Sequence, residues 1–445
     1  FPYISTDGVE GAAYIPGDGY IDPYSLTMAY AKGARANGAR IEEGICVEEI
    51  ILDGRRVVGV VTNAGNISCD VLVNCAGLWA KRVGNMAGVA LAAGIVEHQY
   101  FLTEKTLSFD AGLTTLRDPD KNFYLKPDTG SFAIGGWEEG SRGFHRGLPP
   151  LDFGRELFAP NMERLERFAL PAAERLPILN ETGIQTVING PIPVSADGEP
   201  IMGLAPELDN FYVACGFTAG IAASGGAGLA MANMILHDDA GMDLWQFDVR
   251  RFSKVHAQPR YLEARAIEAY ASYYKVHWPL EESQSGRDLR LSPLHGQLRR
   301  AGAVFGSRAG WERANWFAPA GVEPVDIASF EGKPNWFSHV AEEHRAIRER
   351  VALIDQTSFS KFEISGAGAE AALQRIAAND LSGPPGKAVY TQFCNDRGGI
   401  EADVTLVHAG ADHFYLVTGS GFGVRDSGWV AKHLPASVGM RDVTG

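Results

Sequence analysis

The sequence predicts an α/β unit interrupted by an antiparallel sheet, then a connector, then an α+β unit. Three observations carry this. Helix and strand patterns alternate over residues 20–86 and resume at 211–236. Between them, residues 96–137 are strand-rich. After Leu298 the texture changes again, to a charged helix followed by strands and Gly turns. Alternation of this kind builds layered α/β folds. At roughly 150 residues per domain, 445 residues suggest about three domains. Hydrophobic residues at 45% and charged residues at 21% are ordinary for a globular protein. A net charge of −14 argues against nucleic acid or an anionic membrane as the main partner.

In GYIDPYSLTMAYAKGARANGARI, Asp22 is an N-cap and Pro23 takes the first helical position. Leu26, Ala29, Tyr30 and Gly33 share a face, and Gly38 ends the helix. Strands are expected at 41–51, 56–62 and 67–75, with Asp53-Gly54 turning between the first two. A helix follows at 78–86. Residues 98–102 and 132–136 alternate as strands, 160–176 is a helix, and 189–201 is expected as a loop. Residues 211–236 are uncharged and long enough to span a bilayer. Five glycines (Gly216, Gly220, Gly225, Gly226, Gly228) make a strand (211–215), a turn and a helix (226–236) the better reading. Residues 248–298 mix aromatics and charges without clear periodicity and read as a packed connector. A helix at 342–350, a strand at 362–366 and a helix at 369–377 complete the pattern. The five scattered cysteines have no metal spacing and are expected as buried free thiols in a reducing compartment. The chain opens on Phe1 and stops in the strand-like run 441–445, which reads as an internal piece of something longer.

Two glycine turns can bring backbone close to a ligand: residues 73–77 and 216–221, each after an apolar strand. Such turns more often serve tight packing. No GxGxxG opens a βαβ unit in these residues. His98 and Tyr100 share a strand face, which can bind a carboxylate or take a proton from an amine; a half-buried strand with locally satisfied polar groups fits the same spacing. Tyr124 is open to the same two readings. Asp403 follows the polar turn 395–399 and faces either a cleft or solvent.

The motifs GYIDPYSL, DVLVNCAGLWA, EHQYFLTE, DGEPIMG, CGFTAGIAASGGAG and MDLWQFDVRRF occur in that order. The series resembles the dimethylglycine dehydrogenase/sarcosine dehydrogenase family, flavoproteins with a glycine-oxidase-like FAD domain. HWPLEESQSGRDLRLSPLHGQL and GWERANWFAP resemble its central connector. LIDQTSFSKFEISG, ANDLSG, VYTQFCNDRGGIEADVTL and FYLVTGS resemble the start of a glycine-cleavage T-protein (aminomethyltransferase) domain.

The resemblance implies three parts: 1–240, an FAD-dependent oxidoreductase domain lacking its N-terminal Rossmann part and carrying an inserted antiparallel substrate sheet; 241–297, a connector; 298–445, the first part of a T-protein-like folate domain. It implies flavin-dependent oxidation of an N-methyl amine such as dimethylglycine or sarcosine. The one-carbon unit then passes to tetrahydrofolate or leaves as formaldehyde. Val47 would meet the adenosine of FAD, Cys75, Ala76, Gly77 and Trp79 the pyrophosphate and ribityl region, and Gly216, Phe217, Thr218, Ala219, Gly220 and Ile221 the isoalloxazine. His98 and Tyr100 would act at the substrate, beside Tyr124. Tyr390 and Asp403 would serve the folate site. Thr218 stands where many members have Asn, and Ala402 precedes a single Asp403 where two adjacent Asp are common. The GxGxxG and the flavin-linking histidine are expected before Phe1, so activity is not expected of this stretch alone. Oxygen or an electron-transfer flavoprotein is the expected acceptor. No metal, nucleic acid or membrane is expected, and the location is cytoplasmic in a bacterial setting or the mitochondrial matrix in a eukaryote. Two rivals share the architecture: a non-catalytic relative of the pyruvate dehydrogenase phosphatase regulatory subunit, and a flavoenzyme for another methylamine.

Overall fold

The computed structural model describes residues 1–105, 112–154, 156–327, 329 and 331–444. Parts of two expected strand regions, residues 106–111 and Gly445, lie outside the described residues. The chain forms two compact units. The first comprises Phe1–Phe247 and Gln258–His277, the second Asp248–Ala257 and Trp278–Gly445.

The first unit opens with α1 (Pro23–Ala36), capped by Asp22, whose carboxylate accepts from the Ser25 N–H at 2.7 Å. The apolar spacing of α1 is as expected, yet none of its residues is buried. An antiparallel meander follows: β1 (Val47–Asp53), β2 (Arg56–Thr62) and β3 (Gly65–Ser68). The strand expected at 67–75 is instead two pieces in different sheets. β4 (Leu72–Asn74) pairs in parallel with β11 (Phe211–Cys215), and β10 (Ile201–Leu204) flanks β11 on its other side. Asn210 fixes the break. Its side-chain amide donates to Val57 O and Asp70 O, its side-chain oxygen accepts from Val57 N–H, and its carbonyl accepts from Leu72 N–H. α2 (Ala80–Met86) follows β4. α4 (Gly220–His237) follows β11 and begins six residues before the helix expected there.

Inserted between α2 and β10 is a five-stranded sheet in the order β6 (Leu116–Asp118), β7 (Phe123–Asp128), β8 (Ser131–Gly136), β5 (Ala93–Thr103), β9 (Ile184–Ser195). Alternation assigns its two faces. Phe101, Phe123, Leu125, Phe132 and Ile134 pack on Leu165, Phe168 and Ala172 of α3 (Met162–Arg175). Val96 and Val194 pack on Ala266 and Tyr270 of α5 (Pro259–Ala271). Helices on both faces explain why every residue of β8 is buried, where alternation had suggested one solvated side.

Residues 189–195 do not belong to the expected loop, because β9 pairs with β5 from Ile184 to Ser195; only 196–200 turn. β9 carries two prolines, Pro191 and Pro193, but it is an edge strand and both share one parity. Ala196, of the opposite parity, donates its N–H to Ala92 O, whereas the Asn189 carbonyl turns away from the sheet to Phe158 N–H. The proline nitrogens therefore face outward, where no ladder hydrogen bond is lost. The connector also contains α5, an ordered helix, and divides between the two units. The cysteines are free, but only Cys215 is buried; Cys46 and Cys75 are exposed.

The second unit holds α6 (His295–Arg300), the hairpin β12 (Ala303–Arg308) and β13 (Trp311–Phe317), and α7 (Phe337–Glu349). Its main sheet runs β15 (Ala388–Cys394), β16 (Ile400–Gly410), β17 (His413–Thr418), β14 (Ser360–Ser365), β18 (Gly439–Asp442). α8 (Ala369–Ile376) and α9 (Gly423–Ala431) contribute Leu373, Ile376 and Val430 to the core on one face, with Phe362, Ile364, Leu406 and Leu416.

Gly136 reports how closely α3 lies on the inserted sheet. A methyl group there would fall 2.5 Å from Phe168 Cβ and 2.6 Å from Asn122 O. Gly136→Ala is expected to destabilise the first unit by about 1–3 kcal/mol, the usual cost of overpacking. Urea unfolding checks this, and a change below about 0.5 kcal/mol would show that α3 yields without strain.

Candidate functional site

The two glycine turns leave the same ends of neighbouring parallel strands, since β4 and β11 pair in register from Leu72↔Phe211 to Asn74↔Val213. Ligands of open α/β sheets gather at the carboxyl ends of such strands. Asn74, buried, braces the first turn by donating to Ala80 O at 2.8 Å and accepting from Ala76 N–H at 3.2 Å. Gly77 has φ +54°, and a Cβ there would meet nothing within 4 Å, so conformation rather than crowding calls for glycine. Gly216 has φ +72°. Val47, Cys75 and Ala76 line one apolar groove of about 350 Å³ with Val60, Ile67 and Leu72. Trp79, just beyond, donates its indole N–H to Pro150 O at 3.0 Å. Phe217, Thr218 and Ala219 form the second turn, and Gly220 and Ile221 open α4. The Thr218 hydroxyl donates to Pro193 O at 3.2 Å, and Pro193 pairs with Ile95, three residues along β5 from His98. A bare groove wall and two open glycine turns are what a phosphate-bearing, planar cofactor such as FAD requires of a protein.

His98 and Tyr100 point to the α5 face of β5, as alternation predicted, and the structure adds partners that the sequence did not show. His98 Nδ1 lies 2.9 Å from the Tyr270 hydroxyl and Nε2 lies 3.0 Å from the Tyr124 hydroxyl. Trp137 stacks on the imidazole at 4.9 Å between centroids. Tyr124 reaches His98 across Gly135, where a Cβ would sit 2.2 Å from the phenolic oxygen. Behind this cluster Tyr270 also contacts Glu138 Oε2 at 2.8 Å. Arg164 binds Glu138 Oε1 through Nε at 2.9 Å and Glu97 Oε2 at 2.8 Å. Gln99 holds the start of α3: its amide donates to Asn161 O and its oxygen accepts from Asn161 N–H, while the Asn161 side chain accepts from Arg164 N–H.

Burial first, and the Arg164 charge second, push the His98 pKa down to about 4, so the imidazole is neutral at pH 7. Burial raises the Tyr124 and Tyr270 phenols, which stay protonated. Sequence reasoning missed Tyr270, Glu138 and Arg164. Leu262, Ala266 and Tyr270 recur at four-residue spacing behind Pro259 and were the available signal for α5.

In the second unit, Tyr390 and Asp403 stand on the sheet face away from α8 and α9. Asp403 pairs across Gln392 and accepts from its amide at 3.3 Å. Tyr390 is 61% exposed, and a hydrogen bond to Asp403 raises its phenol.

Residues 1–234 match the family described as FAD dependent oxidoreductase, more than half of the chain. The chain belongs to that family. Residues 237–292 match the FAD dependent oxidoreductase central domain and residues 294–445 the GCVT N-terminal domain. The oxidoreductase domain is the FAD-binding part and the GCVT domain the folate-binding part. The chain is 36% identical to the 4-methylaminobutanoate oxidase (formaldehyde-forming) of Paenarthrobacter nicotinovorans, over 94% of this chain and 51% of that protein. It is 34% identical to the mitochondrial sarcosine dehydrogenase of Homo sapiens, over 97% and 51%. It is also 34% identical to the mitochondrial dimethylglycine dehydrogenase of Homo sapiens, over 97% and 50%. This family member thus spans about half the length of these relatives. Among the described residues no helix is long and apolar enough to cross a membrane.

The depressed His98 pKa has a consequence for stability. The unfolded chain takes up a proton near pH 6.5 and the folded site resists it down to about 4. Stability is therefore full above pH 6.5 and falls through that window, by ~3 kcal/mol for this group. His98→Gln is expected to remove that part of the pH slope, checked by urea unfolding at pH 7 and pH 4.5.

Proposed function

We propose that the protein oxidises a secondary or tertiary N-methyl amine at the His98 site, with FAD as hydride acceptor. The observation that carries this is a neutral, half-buried imidazole bonded to two phenols on a sheet three residues from the Thr218 contact. Val47, Cys75, Ala76, Gly77 and Trp79 would hold the adenosine and pyrophosphate side of FAD, and the turn from Gly216 to Ile221 the isoalloxazine side. Bound there, FAD supplies a two-electron acceptor.

The chain's own residues prepare the amine. Hydride can leave the N-methyl carbon only when the nitrogen lone pair is free to form the C=N bond. The burial and the Arg164 charge that keep His98 neutral also disfavour an ammonium beside it, so the amine enters as its free base and leaves its proton in the solvent. Tyr124 and Tyr100 orient the amine, and Trp137 closes one wall against water. The iminium that results either takes up water and releases formaldehyde with the demethylated amine, or gives its methylene group to tetrahydrofolate and releases the same amine, with Tyr390 and Asp403 serving the folate part. The three-part division at residues 240 and 297 belongs to this proposal, as do oxygen or an electron-transfer flavoprotein as acceptor and a location in bacterial cytoplasm or the mitochondrial matrix.

The test is stopped-flow mixing of the flavin-loaded protein with sarcosine, dimethylglycine and 4-methylaminobutanoate. Flavin bleaching by at least one is expected, and bleaching by none overturns the reading. His98→Ala should slow bleaching by about 10²-fold, in the range of a misplaced substrate, because Tyr124 loses its partner, with flavin retained. A wild-type rate in that variant would remove His98 from the reaction.

A further inference from the structure

We infer that Glu138 and Tyr270 are positioning residues that fix which nitrogen of His98 carries its proton. The argument is a chain of donors and acceptors. Arg164 Nε and a terminal guanidinium nitrogen both donate to Glu138 Oε1, at 2.9 and 2.5 Å; burial raises this carboxyl, and the permanently charged guanidinium in contact with it opposes that and holds it as a carboxylate that can only accept. Its other oxygen lies 2.8 Å from the Tyr270 hydroxyl, which also has His98 Nδ1 at 2.9 Å and Gly136 O at 3.4 Å within reach. A carboxylate oxygen and a phenol oxygen this close repel unless a hydrogen lies between them, so the Tyr270 proton points at Glu138. The Tyr270 oxygen is left to accept, and what it faces is His98 Nδ1 at 2.9 Å, which must carry the hydrogen. A neutral imidazole has one N–H. Nε2 is thus bare and accepts from the Tyr124 hydroxyl at 3.0 Å. Each link leaves the next only one orientation, and the sequence of polarities ends on the oxygen of Tyr124, with its lone pairs unprotonated and directed away from His98.

This rests on the proposed reaction only for its kinetic consequence; the tautomer itself is a property of the protein. Nitrogen-15 histidine is incorporated into the full, flavin-bound protein, and long-range proton–nitrogen correlations identify His98 by comparison with His98→Gln. Wild type is expected to show a protonated Nδ1 and a bare Nε2. Glu138→Gln keeps the size of the side chain, and Glu97 still pairs Arg164. Its amide oxygen stays toward Arg164 and its NH₂ faces Tyr270, so Tyr270 becomes a donor to Nδ1 and the tautomer inverts. Tyr270→Phe removes the acceptor and mixes the two forms, and serves if Glu138→Gln fails to fold. An Nε2–H tautomer or an imidazolium in wild type, or an unchanged tautomer in either variant, overturns the inference. Flavin reduction in both variants should slow at least about tenfold, with amine binding within about twofold of wild type. If no amine bleaches the flavin while the tautomer still inverts, the proposed reaction fails and this assignment stands.

Discussion

One buried guanidinium organises the first unit. Arg164 sits near the start of α3, its side chain 4% exposed, between Glu97 of β5 and Glu138, whose side chain is 1% exposed. Two negative partners around one cation offset a desolvation cost that neither pair would offset alone. Removing Arg164 would strand two carboxylates beside each other, at a cost of about 3–5 kcal/mol. The same ion holds α3 to the sheet, orients Glu138 toward Tyr270, and lowers the pKa of His98. Structure and chemistry here share one electrostatic centre, so stability and proton placement cannot vary independently.

The layering makes that centre possible. With α3 on one face of the inserted sheet and α5 on the other, alternate residues of β5 serve different neighbours. Glu97, Gln99 and Phe101 face α3, and Val96, His98 and Tyr100 face α5. A strand solvated on one side would leave the imidazole in water, with a pKa near its ordinary value. Glycines at 135 and 136 set the spacing: the first lets the Tyr124 phenol cross to His98, the second lets Phe168 descend onto the sheet.

Much of this was legible in the residues. The Asp22-Pro23 helix start, β2, β11, and the His98–Tyr100 face all follow from local rules. So does the pairing of two glycine turns with two apolar strands. What failed depended on context. The two prolines of β9 break a central strand but not an edge, and edge position is a property of the sheet. The stretch 67–75 carries Ser68 and Asp70 among its apolar residues, and Asn210, far along the chain, ties down the point where it divides between two sheets. Tyr270, Glu138 and Arg164 lie on three separate elements, and no spacing rule joins them to His98. The motifs identified the family; the ion network behind the imidazole became visible only in three dimensions.

The outward prolines of β9 also govern how this sheet meets other chains. An exposed edge with free N–H groups is a template on which a neighbouring molecule can add a strand. At Pro191 and Pro193 there is no donor to offer, and the carbonyls of Asn189 and Pro193 are already taken by Phe158 and Thr218. Over these residues the edge offers a neighbouring chain neither a donor nor a free acceptor at Pro193, and strand addition there is blunted.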